Sequence, residues 1–130
     1  MNEILGFGAV CAGAAIGAMA RYGLDLAFAG QPPARQNHAT LIANVTGSLL
    51  IGVIVGVLNQ NDLLAQPPWW SQTLTAGIAG GLTTFSTFAA QVITQAQKNV
   101  VSALKLAAAH AVFGFAAALG GWWVTLQLLD

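Results

Sequence analysis

Charge is what this chain has least of. Four Lys and Arg stand against four Asp and Glu, so only 6% of residues are charged and the formal net charge is zero. Ordinary soluble domains carry roughly 25%. A neutral, sparse balance offers no basic surface for nucleic acid and no acidic surface for a cationic partner. Cysteine is scarcer still: Cys11 is the only one, which excludes an intrachain disulfide. Set in an apolar segment, it reads as a small packing residue. The chain also lacks a nucleophile–base constellation, a metal-ligand cluster and a phosphate loop, which argues against an enzyme. Its N-terminus carries Glu3 and no basic stretch, so no cleaved signal peptide is expected and the first hydrophobic segment is retained.

What remains is apolar. Hydrophobic residues make up 56% of the chain, and 130 residues accommodate one domain with about four spans of about 20 residues each. The pattern predicts an all-α membrane protein with transmembrane helices over about 4–28, 39–58, 71–97 and 100–129. Loops are marked by Pro32-Pro33 and by Asp62 with Pro67-Pro68. Trp69-Trp70 follows the second of these, where amphipathic rings suit the membrane–water interface. Gly13/Gly17 and Gly52/Gly56 repeat small residues at four-residue spacing, the signature of close helix contact. Arg35 and Lys98 fall opposite the N-terminus, with Arg21 and Lys105 leaning the same way, while Glu3, Asp62 and Asp130 fall on the N-terminal side. The positive-inside rule then places both termini outside.

The third segment is unsuited to an ordinary lipid-facing helix. Residues 80–88 read Gly-Gly-Leu-Thr-Thr-Phe-Ser-Thr-Phe within an uncharged run from Leu63 to Gln97. Gly80 and Gly81 weaken a helix, and the hydroxyls stand where hydrocarbon is expected. Irregular, polar backbone at membrane depth is tolerated where it is buried in protein or lines a water-filled path, so the feature points to a pore or transport site. Four short helices rich in small residues can hardly enclose both a tight core and a wide polar path. A pore is therefore more readily built with a second copy.

Three patches together resemble the Fluc/CrcB family of small fluoride channels: Gly17 to Tyr22, Thr40 to Ser48 with Gly52 following, and above all Gly80 to Phe88. Their order, spacing and the four-span length agree over about the first three-quarters of the chain. The resemblance implies an antiparallel dual-topology dimer in the cell inner (plasma) membrane, with two fluoride pathways exporting fluoride from the cytoplasm. It also implies a structural, non-transported sodium ion at the dimer centre, held by the backbone carbonyls of Gly80 and Thr83 from both subunits. Matched residue by residue, Phe85 and Phe88 line the pores, Asn44 is the pore asparagine of the second helix, and the hydroxyl track begins at Ser86 and Thr87.

The residue chemistry is compatible with that role. Fluoride is small and strongly hydrated, so a pore has to replace its water with donors; Asn44 supplies an amide, Ser86 and Thr87 supply hydroxyls. Phenyl rings present positive edges to an anion. A broken helix exposes an N-terminus carrying partial positive charge, and a buried cation adds to that field. Each residue also has a plainer reading. Phe85 and Phe88, three apart, equally suit core packing; Asn44 an interhelical hydrogen bond; Gly80 and Gly81 a packing notch. Arg21 reads as structural, either snorkelling or paired with Asp25 one turn on. His110 is an ionisable group inside the fourth span, with a neutral hydrogen-bonded role as the alternative; His38 reads as an interfacial loop residue.

Two departures from the family pattern matter. Many members carry a glutamate shortly after the second pore phenylalanine, where this chain has Gln91. The family often continues the hydroxyl track along the fourth helix, which here offers only Ser102, His110 and Thr125. That gap, with the one-sided charge, leaves open a heterodimer with an oppositely oriented homologue beside the homodimer. A small multidrug-type transporter is the competing class, but such proteins need a membrane-embedded carboxylate and the central parts of these spans have none.

Overall fold

A computed structural model describes residues 3–129, so Asp130 of the charge pattern lies outside the described residues. Among the described residues all regular structure is helical. Helix α1 is Glu3–Ala27, α2 Pro33–Gln60, α3 residues 69–82, α4 Phe85–Lys98 and α5 Val100–Leu129. Helices α3 and α4 form one bent span, giving four stretches long and apolar enough to cross a membrane. Helix α2 starts earlier than the predicted 39, because Pro33 at its first turn has no N–H to lose and a preset φ. The connections use residues that tolerate tight backbone: Gly30 (φ 78°) after α1 and Asp62 (φ 54°) after α2. Only Asn99 separates α4 from α5, and its Oδ1 accepts from the Ser102 N–H at 3.0 Å, capping α5 as it turns back.

The glycines explain how the spans meet. A Cβ on Gly13 would lie 2.7 Å from the Thr73 carbonyl, and one on Gly17 would collide with the Ile78 carbonyl, so α1 lies backbone-close along α3. Gly81 in turn approaches the Ala14 carbonyl. Gly52 is pressed on the Ala118 carbonyl, and a Cβ on Gly56 would lie 2.7 Å from the Thr125 Cβ, fixing α2 along α5. In both pairs the contacts advance in step, so α1 and α3 run in the same direction, as do α2 and α5. Successive spans therefore alternate up and down. The spacing noted at Gly13/Gly17 and Gly52/Gly56 is what lets these pairs close.

The interior is correspondingly rich in small side chains, with Ile54, Leu58 and Leu82 the larger apolar residues buried among them. Ala39, Ala43, Ala79 and Ala103 are buried, whereas Phe7, Met19, Phe113, Phe115 and Leu128 face outward. Large apolar residues outside and small ones inside is the arrangement a lipid solvent permits and water penalises. Cys11 is exposed, not packed as predicted. It lies on the opposite side of α1 from Gly13 and Gly17, which occupy the helix–helix contact.

The third span departs most from a regular helix. Within α3, Trp69–Gln72 is α-helical, Thr73–Ala79 is π-helical and Gly80–Leu82 is α-helical again. Widened helix of this kind marks functional sites in many proteins. Thr75 donates its hydroxyl to the Ser71 carbonyl at 2.8 Å and Thr73 to the Trp69 carbonyl at 3.1 Å, satisfying acceptors inside the segment. The helix breaks at Thr83 and Thr84, both extended, not at the glycine pair: Gly80 keeps helical φ −64° and ψ −38°. Gly81 is spent on close approach to α1, and the break falls at the residues that follow it.

Candidate ion pathway at the helix break

The break is held open by a side chain 40 residues away. Asn44 on α2 clamps the Thr84 peptide from both sides: the Thr84 N–H donates to Asn44 Oδ1 at 2.8 Å, and Asn44 Nδ2 donates to the Thr84 carbonyl at 3.2 Å. In a continuous helix the Thr84 N–H would close on the Gly80 carbonyl. The clamp takes that donor away, so the Gly80 carbonyl joins the unpaired carbonyls at a helix C-terminus. One Asn44 N–H hydrogen remains unused by this pair.

Thr84 also caps the second half-helix. Its Oγ1 accepts from the Thr87 N–H at 3.3 Å, which is why α4 starts at Phe85. The same oxygen donates to Thr87 Oγ1 at 3.2 Å and lies 3.2 Å from Ser86 Oγ. Thr84 has one hydroxyl proton, committed to Thr87, so Ser86 is the donor in its own pair. The hydroxyl left with a free proton is therefore Thr87. The first N–H groups of α4, at Phe85 and Ser86, face the break with the positive end of the helix dipole.

Around this point lies a cavity of about 320 Å³. Helix α2 lines it with Asn44, Ser48 and Ile51, the break with Thr83 and Thr84, α4 with Phe85 and Phe88, and α5 with His110 and Gly114. Among the described residues no charged side chain lines it. The Phe85 and Phe88 ring centroids are 5.8 Å apart and the rings are tilted at 54°; the edge of a phenyl ring carries partial positive charge. Phe85 is 79% exposed, too much for a core residue. Thr87 lines an adjoining cavity of about 470 Å³ with Asp25, Thr40 and Gln91. The hydroxyl cluster of Thr84, Ser86 and Thr87 thus lies between two cavities.

The structure brings Asn44, Thr83, Phe85 and Phe88 together on one cavity, places Thr87 on the next, and leaves Ser86 exposed beside them. Gly80 is exposed one turn before the break. Arg21 forms no ion pair with Asp25 among the described residues, and its Nε is buried without a hydrogen-bond partner. Gln91 Nε2 donates to Thr40 Oγ1 at 2.9 Å, tying α4 to α2. Two residues escaped the sequence reading as individuals. Thr84 is the hub of the site, and its signal was available: a threonine directly before the Phe85/Phe88 repeat marks a helix N-cap. Ser48 lies one turn after Asn44 and had no separate signal.

The profile of the family described as CrcB-like protein, camphor resistance (CrcB), matches residues 8–122. A protein of Ralstonia pickettii (strain 12J) named fluoride-specific ion channel FluC is 39% identical over 122 residues, 92% of this chain and 94% of its own length. A protein of the same name from Variovorax paradoxus (strain S110) is 42% identical over 105 residues, 78% of this chain and 79% of its own. Another from Cupriavidus pinatubonensis is 44% identical over 89 residues, 68% of each chain. With the profile spanning the clamp, the break and both phenylalanines, the chain belongs to the CrcB-like family.

Proposed function

We propose that this chain is a passive, fluoride-selective channel rather than an enzyme, exporting the anion from the cytoplasm across the cell inner (plasma) membrane. The observation that carries the proposal is the cavity at the broken third span: uncharged, lined by donors and phenyl rings, in a chain whose relatives are named as fluoride-specific channels. A dehydrated fluoride needs donors in place of its water. The free Asn44 N–H, the Thr87 hydroxyl and the ring edges of Phe85 and Phe88 supply them without a lysine or arginine that would hold the ion too tightly. Conduction requires binding weak enough to release. Once inside, the anion is driven outward by the membrane potential.

The functional unit is proposed to be an antiparallel dual-topology dimer. Phe85 stands open beside its cavity and Gly80 is exposed, so a second copy across the break would cover both. A structural sodium ion fits the same place: the Gly80 carbonyl is freed by the Asn44 clamp, and that of Thr83 follows it at the helix end. Carbonyl oxygens are hard ligands suited to such a cation, and sodium there would add positive charge to the anion route. A heterodimer with a paired homologue is the second reading, favoured by α5, which gives the cavity only His110 as a polar side chain. Efflux from liposomes holding this chain alone, followed with fluoride and chloride electrodes, decides between them. Fluoride release without chloride supports the homodimeric channel. Folded protein that releases neither removes it.

A further inference from the structure

His110 has no task in the route described so far. It is only 8% exposed, lines the same cavity as Asn44, and its ring lies 4.7 Å from that of Phe88. Its Nδ1 is 3.1 Å from the Leu106 carbonyl. A carbonyl only accepts, so that contact assigns the hydrogen to Nδ1. In the neutral ring Nε2 is then a bare lone pair, and it is buried without a partner among the described residues. A histidine serving only the core would have both nitrogens satisfied.

A lone pair beside an anion route repels the anion. Taking a proton from water reverses this: Nδ1–H keeps Leu106, and Nε2–H becomes a charged donor for which the described residues supply no acceptor. We propose that Nε2 of His110 is a proton-linked anion-binding site, where the imidazolium donates to a small anion that has shed most of its water in the cavity, so that proton and anion bind cooperatively. The anion being fluoride rests on the proposed function. Among the described residues no other titratable side chain lines this cavity. Phe88 from α4 and Asn44 and Ser48 from α2 share its cavity and are neutral. The charged or titratable residues on the helices packed against α5 are Arg35 and His38 on α2 and Lys98 on α4, with Lys105 on α5 itself; all are exposed and none lines the cavity.

Two readouts test this in full-length protein carrying His38→Asn, which leaves His110 as the sole imidazole. In planar bilayers, where uncharged hydrogen fluoride carries no current, fluoride current is expected to rise as the pH falls. His110→Gln, whose amide donates at every pH, is expected to give a flat profile. Independently, the ¹⁵N spectrum at fixed pH is expected to show more imidazolium on adding fluoride but not chloride. A spectrum unmoved by fluoride, or one pH profile shared with His110→Gln, overturns the site. Fluoride current with a flat profile leaves the channel standing and removes the site. A fluoride response in protein that carries no current keeps the site and removes the channel.

Discussion

Replacing Asn44 separates its role as a clamp from a role as packing. Leucine has nearly the same shape but neither hydrogen-bonding group, so Asn44→Leu deletes both bonds to Thr84, at 2.8 and 3.2 Å. Two such bonds contribute about 1–3 kcal/mol net, toward the lower end between membrane helices, where pairs average about 0.6 kcal/mol. The released Thr84 N–H can also return to the Gly80 carbonyl, offsetting part of the loss by closing the helix. Stability is therefore expected to fall by only about 1–2 kcal/mol, measured by denaturant unfolding in micelles with tryptophan fluorescence. Flux is expected to suffer far more. The anion loses the remaining Asn44 N–H, a charge-assisted bond of about 1.5–3 kcal/mol, which corresponds to at least about tenfold. It also loses the shaped cavity. Asn44→Asp is the control: it keeps the acceptor for Thr84 but not the donor, and its carboxylate opposes an anion. Folded Asn44→Leu protein that retains fluoride flux within about twofold would refute the reasoning.

Three other outcomes follow from the same geometry. Thr87→Val removes the one hydroxyl in its cluster with a free proton while keeping shape, and fluoride flux in liposomes is expected to drop about tenfold or more with little change in unfolding; unchanged flux would take Thr87 off the route. Gly52→Leu sets a side chain against the Ala118 carbonyl and is expected to lower stability by about 3 kcal/mol or more, the upper end of overpacking costs, read by thermal unfolding in detergent. Exchanging sodium for a large organic cation during purification is expected to lower the melting temperature and abolish flux, with both restored on returning sodium; indifference of both would remove the cation from the dimer centre.

The spans were legible because uninterrupted apolar runs and proline-marked loops leave few alternatives in a chain this poor in charge. The packing partners were partly legible too, since glycine pairs at four-residue spacing imply close contact without saying with which helix. The break itself was only half legible. Composition pointed to Gly80 and Gly81, but both stay helical, Gly81 lying close on α1, and the distortion passes to Thr83 and Thr84. What holds it there is Asn44, a contact across 40 residues that no local pattern encodes. The π-helical turns at Thr73–Ala79 likewise carry no sequence signature beyond hydroxyls able to satisfy carbonyls within the span. The Arg21–Asp25 spacing suggested a pair, yet adjacency on a helix permits a contact without requiring it.

The most direct test of the central claim is the reversal potential of a planar bilayer holding this chain alone, with fluoride and chloride gradients set in opposite directions. A fluoride-selective pore reverses at the fluoride equilibrium potential, about 59 mV for a tenfold gradient of a monovalent ion. Reversal near zero, or at the chloride potential, would contradict the account.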